Sequence, residues 1–111
     1  NYFKVNGPNT GSGHSSQISY MEAATGYIAQ AIRAVRRDAT LRAIDPRPER
    51  QAAYVATVRR KLQHTVWQTG GCTAFYRRNM TGEVTSLSPE PVTAFILARK
   101  WFRLGDYRLL R

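Results

Sequence analysis

From Ser15 to Asp38 the chain runs without a proline, and Ile18, Met21, Ala24, Ile28, Ala31, Ile32 and Val35 recur at spacings of three and four residues. That spacing puts one apolar stripe along a helix, predicted over 15–38. Its start carries Ser15 and Ser16, hydroxyl residues suited to capping the first N–H groups, and its last turn carries Arg36 and Arg37, which oppose the negative end of the helix dipole. The helix follows the stretch VNGPNTGSGHSS, Val5 to Ser16, which packs three glycines and a proline into twelve positions. Such a stretch is either a surface turn or a loop whose backbone can come close to a bound anion or cofactor. Turn chemistry alone leaves both open.

The other elements are shorter. Tyr2 to Val5 reads as a strand ended by Asn6-Gly7-Pro8, because proline has no N–H for a ladder and glycine favours a turn. After the long helix, Asp45-Pro46-Arg47-Pro48-Glu49 punctuates the chain, with Asp45 a candidate cap for a second helix over 46–66. Tyr54, Val55, Val58 and Leu62 share one face of it. The glycines of WQTGGC, Trp67 to Cys72, break the helix. Thr73–Arg77 and Val84–Leu87 are β-prone and predict a hairpin over 73–88. Ser88-Pro89-Glu90-Pro91 opens a last helix over 90–103, with Val92, Phe95, Ile96 and Arg99 in register, and residues 104–111 form an extended tail. The expected class is α+β: about three helices, an N-terminal strand and a small hairpin.

At 111 residues, 42% of them apolar, the chain is globular and at most one domain. No apolar run approaches a membrane span and no secretory leader is visible, so a cytoplasmic location is expected. The lone cysteine, Cys72, builds no internal disulfide and no metal site. With His64 it makes no convincing nucleophilic dyad, since no third group orients the pair; a small buried cysteine after a Gly-Gly bend is the simpler reading. Seventeen basic residues against seven acidic ones give a net charge of +10. Spread over three helices and the tail, the cations read as solvated faces rather than as one nucleic-acid footprint. The start at Asn1 reads as a piece of a longer protein.

Four ordered segments carry a resemblance: NGPNTGSGHSS, then MEAATGYIAQAIRAV, then TVWQTGGCTAFY, then LGDY near the end. Together they resemble the C-terminal region of class B flavin-dependent monooxygenases, the Baeyer–Villiger and flavin-containing monooxygenase type. The sequence departs from that pattern at Ala74-Phe75, where the family has Ser-Trp, at Gly82-Glu83-Val84, where it has Gly-Arg-Asn, and at Ser88-Pro89, where it has Trp-Pro. Phe75 is expected still to fill an aromatic slot.

The resemblance implies a fragment of a flavoprotein with two dinucleotide-binding domains, and a parent that uses NADPH, FAD and oxygen to insert one oxygen atom into a ketone or transfer it to a heteroatom. It makes Gly7, Pro8, Asn9, Thr10 and Gly11 the cofactor-binding loop, with the helix start aimed at the flavin. Asn9 and Thr10 would offer donors. His14, Trp67 and Tyr76 are candidates for the cofactor or substrate side, although His14 beside a helix start is more often a capping or exposed residue, and the aromatics more often core or interface. No catalytic residue and no metal ligand is assigned within this chain. Neither G-x-G-x-x-G fingerprint occurs in it, so the chain alone is expected to hold no FAD or NADPH and to be inactive. Its expected partners are the upstream FAD- and NADPH-binding domains of the same protein, with no membrane and no nucleic acid. The alternative is a free-standing basic module, binding nucleic acid or forming a homodimer, without enzymatic activity.

Overall fold

A computed structural model describes residues 1–71, 73–78 and 81–111. Among them are four α-helices, α1 (Gln17–Arg37), α2 (Pro48–Leu62), α3 (Val66–Thr69) and α4 (Val92–Ala98), and two strands, β1 (Ala43–Pro46) and β2 (Tyr107–Leu110). The class is α+β, as expected. The strands pair antiparallel, Ala43 opposite Leu110 and Pro46 opposite Tyr107, so the sheet joins the middle of the chain to its end. Pro46 sits at the end of β1, where its missing N–H does least harm to a ladder.

The long helix lies within two residues of its expected bounds. The 46–66 helix divides: α2 stops at Leu62, and α3 is a separate turn. Asp45 is not its cap. Asp45 lies in β1 opposite Arg108 and pairs with that guanidinium, while Arg47 occupies the cap position and Pro48 the first helical one. The last helix is shorter than expected, ending at Ala98, and the tail is partly β2.

Two expected β features change. Tyr2–Val5 forms no strand: the N-terminus meets the edge of β1 away from β2 through a side chain instead of a ladder, Asn1 Nδ2 donating to Arg42 O (2.8 Å) and Asn1 Oδ1 accepting from Ile44 N–H (3.3 Å). Among the described residues the 73–88 hairpin shrinks to one antiparallel bridge, Arg77 with Val84, flanked by Arg78 N–H to Glu83 O (2.8 Å) and Thr85 N–H to Tyr76 O (3.1 Å); farther on the run turns to a different partner, Gly11, which bridges Leu87 in parallel. Asn79 and Met80 of that turn, and Cys72 before it, lie outside the described residues.

Burial gathers in two clusters. Val58, Leu62, Val84 and Leu87, with Trp67 and Tyr76 against them, form one; Ala31, Leu41 and Ile44, with Phe3, Val35, Phe102 and Tyr107, form the other. Outside both, the Tyr20 and Phe95 rings meet at a tilt of 53° with centroids 4.5 Å apart, joining α1 to α4. Arg99 lies over the Phe95 ring and donates to Tyr54 Oη of α2 (3.1 Å). The apolar stripe of α1 is only partly covered. Ala31 is buried, but Ile18, Met21 and Ile32 are exposed, and Tyr20, outside the expected stripe, is the buried anchor. The molecule measures 52 × 26 × 19 Å with a radius of gyration of 15.6 Å, against about 13 Å for a compact chain of this length.

Candidate functional site: the glycine loop and its wall

Residues 7–11 do not hang in solvent. Asn9 N–H donates to Thr85 O (2.8 Å), Gly11 N–H to Ser86 O (2.8 Å), and Ser88 N–H to Gly11 O (2.9 Å). Asn9 Nδ2 adds bonds to Val84 O (3.0 Å) and Leu87 O (3.1 Å). Asn9 itself has φ +55°, a left-handed conformation that asparagine tolerates better than most residues. The result is a two-ply wall, loop 7–11 against residues 84–88. Gly11 makes the close approach possible: a Cβ there would stand 2.7 Å from Ser86 O.

The loop is closed on its other side by α1. Gln17, the first residue of the helix, donates from Nε2 to Asn6 Oδ1 (2.9 Å) and Thr10 O (3.2 Å), and its Oε1 accepts from Ser12 N–H (2.7 Å). Sequence reading missed Gln17. Its signal was an amide side chain at the first turn of a helix that directly follows a glycine-rich loop. Ser16 has the extended backbone of a cap residue, but its side chain caps nothing, so the first N–H groups of α1 keep their hydrogen-bonding capacity for another acceptor.

An open cleft of about 350 Å³ lies here, lined by Asn6, Gly7, Pro8, Thr10, Gly11 and Gln17 on one side and by Thr85 and Ser86 on the other. Four of the five expected loop residues thus face one cavity, and the fifth, Asn9, builds the wall behind it. The donors expected of Asn9 and Thr10 are already used. Both ply-to-ply bonds from Asn9 Nδ2 are internal, and Thr10 Oγ1 donates to Gly7 O (2.7 Å) while accepting from Gly7 N–H (2.9 Å). Their polar groups shape the loop from within.

The three side candidates separate. His14 is exposed, and Trp67 and Tyr76 are half-buried against the cluster beneath the wall. Trp67 has a definite local role: a Cβ on Gly13 would stand 2.1 Å from its Cζ2, so the indole occupies the space that glycine leaves open just before α1. Phe75 fills no aromatic slot in the core. It is 92% exposed, and its ring meets that of Tyr76 edge on at 5.6 Å between centroids. His64 is exposed, and Cys72 lies outside the described residues.

Two hydroxyls near the helix packing are held protonated. Burial raises the Tyr20 phenol above its usual range, with the Glu90 carboxylate adding to the shift, and its hydroxyl donates to Glu90 O (2.9 Å). Burial raises Tyr107 further, helped by its bond with Tyr27 (3.1 Å between oxygens). Among the described residues no three His, Cys, Asp or Glu side chains come together, and no helix is long and apolar enough to cross a membrane.

Similar sequences occur as segments of longer proteins. A Baeyer–Villiger monooxygenase of Streptomyces coelicolor is 34% identical over 111 residues, covering all of this chain and 21% of the relative. One of Pseudomonas aeruginosa is 30% identical over 109 residues, 98% of this chain and 20% of the relative. The FAD-binding monooxygenase ktnD of Aspergillus niger is 33% identical over 113 residues, 98% of this chain and 18% of the relative. The chain is similar, over nearly all its length, to a segment of proteins named Baeyer–Villiger or FAD-binding monooxygenases. It spans about a fifth of the length of these curated relatives. No family model and no solved structure matches it.

Proposed function

We propose that the chain serves as the C-terminal part of an FAD- and NADPH-dependent monooxygenase that places one atom of O2 into a ketone or onto a heteroatom, and that its glycine loop borders the flavin. The observation that carries this reading is the cleft formed by Gly7, Pro8, Thr10 and Gly11 at the uncapped start of α1, in a chain similar along its whole length to monooxygenases. The residues fit the edge of a flavin ring. Backbone without bulky side chains allows close approach, and the positive end of a 21-residue helix favours an electron-rich group.

In this reading FAD, when bound, supplies the redox chemistry. The chain's own work is narrower. Gly7 and Gly11 hold backbone close to the ring, Pro8 fixes the turn, and Gln17 ties the loop to the helix so that the helix field has a fixed direction. Asn9 carries no contact to the cofactor; it locks the loop to residues 84–87. Upstream FAD- and NADPH-binding domains of the same protein are the proposed partners, and exposed Ile18, Met21 and Ile32 on α1 suit a covered face. In isolation that face is available for self-association, which gel filtration reads directly.

A chimera tests the reading. Residues 1–111 replace the matching fifth of the Streptomyces coelicolor relative, and the purified protein is read for flavin absorbance and NADPH oxidation. The expected result is a yellow, NADPH-oxidising chimera, bleached by Gly7→Val with Gly11→Val; a folded chimera without flavin would overturn the proposal. FAD added to the isolated chain is expected to give no yellow complex.

A further inference from the structure

Behind the wall lies a second cleft, also about 350 Å³, on the side of the wall that α2 faces. Its floor is apolar: Leu62 and Val84 are buried, and Val55 of α2 lies at its edge. Its rim is cationic. Arg59 and Arg78 line it, and the one carboxylate there, Glu83, is taken up by Arg59 at 3.1 Å. Among the described residues the Arg78 guanidinium has no ion pair or hydrogen bond, while its backbone is anchored by Arg78 N–H donating to Glu83 O (2.8 Å). A fixed backbone thus carries an arginine fork at the mouth of an apolar recess.

We propose that this cleft binds a small organic anion, a phosphate or carboxylate carried on a flat apolar body. The head group pairs with Arg78, whose planar fork takes two oxygens of either anion; the body lies on Val55, Leu62 and Val84 and keeps them from water. The net charge of +10 raises the local concentration of any such anion. Pro8 and Thr85 line both clefts. An occupant here braces the glycine loop from behind without entering the cavity on its other face. The inference does not rest on the flavin reading, because the isolated chain contains the whole cleft.

The test is an amide NMR titration of the 111-residue chain with phenyl phosphate, benzoate, inorganic phosphate and benzyl alcohol. Phenyl phosphate and benzoate are expected to shift the Val55, Leu62 and Val84 amides saturably, and whichever of the two binds tighter names the head group. Arg78→Ala is expected to weaken both by about tenfold or more, as losing a charge-assisted hydrogen bond does. Arg78→Lys, which keeps the charge and loses the fork, falls between. Arg60→Ala, outside the cleft, is expected to change nothing. Inorganic phosphate binding as tightly as phenyl phosphate would overturn the apolar recess, and benzyl alcohol binding as tightly would overturn the role of Arg78. Equal losses in the Arg60 and Arg78 variants would reduce the effect to overall charge and sink the proposal. Thermal melts of each variant confirm that the fold persists.

Discussion

The two ends of the molecule are held together by different physics. Around Leu41 and Ile44 the packing is apolar and aromatic, with Phe102 between Tyr27 and Tyr107 at centroid distances of 5.2 and 5.0 Å, and a short sheet fixing the register. Around the glycine loop the cluster of Val58, Leu62, Val84 and Leu87 lies beneath, but the loop itself is ordered by main-chain hydrogen bonds and the two bonds of Asn9 Nδ2. Aromatic packing tolerates no cleft. A wall of hydrogen-bonded backbone leaves a cavity on either face, and that is where binding is assigned.

Substitutions sharpen that contrast. The largest effect is expected at Leu41, 5% exposed: Leu41→Ala should cost about 2–5 kcal/mol, the usual loss for a buried leucine, read as a drop in the urea midpoint. If the loop amides lose protection from hydrogen exchange equally with those of β1 and β2, the two ends are one cooperative unit and the comparison breaks. Next comes Gly11→Ala, where the opposing atom is backbone and has little room to move; overpacking of this kind costs about 1–3 kcal/mol. Amide shifts should then concentrate at Thr85 to Ser88. Asn9→Ala removes two internal bonds and strains the left-handed backbone, while Asn9→Gly removes the same bonds without the strain. An Asn9→Gly variant as stable as the parent would show that backbone conformation, and not the amide, holds the wall.

A smaller effect is expected with alkali. The Tyr107 phenol has a raised folded value, so at a pH above the ordinary tyrosine value of about 10 the unfolded chain loses this proton and the folded one keeps it. Stability contributed by this group is full below that pH and falls as the pH rises beyond it. Tyr107→Phe should flatten the decline in urea midpoint, at the cost of the bond to Tyr27 near neutrality. Smallest of all is Glu49→Gln, which breaks an exposed 3.9 Å pair with Arg47 and should stay within about 0.5 kcal/mol.

How much of this was legible depended on the range of the interaction. The spacing of Ile18 to Val35 is local, and α1 followed from it. The pairing of Ala43–Pro46 with Tyr107–Leu110 left no local mark, because four residues ending in proline look like a turn until their distant partner is known. The same reason undid the hairpin: Val84–Leu87 was β-prone, as read, but its second partner was Gly11 and not the preceding run. At the candidate site, glycine spacing marked out residues that line one cleft, yet the side chains of Asn9 and Thr10 bond within the chain. Short polar side chains look like ligand donors in a sequence, and only the fold shows which carbonyl they already serve. Tyr20 was missed because it sits beside the apolar stripe and is buried through one tilted ring contact and one hydroxyl bond.

The bonds from Asn9 to Val84 and Leu87 span 75 and 78 residues. Contacts so distant along the chain close late in folding. During synthesis the loop must wait for a partner that leaves the ribosome only after α1, β1, α2 and α3 have been made. The proposed flavin edge is therefore written near the start of this sequence and assembled near its end, so a chain cut short before Ser88 would carry every loop glycine without the wall that gives them shape.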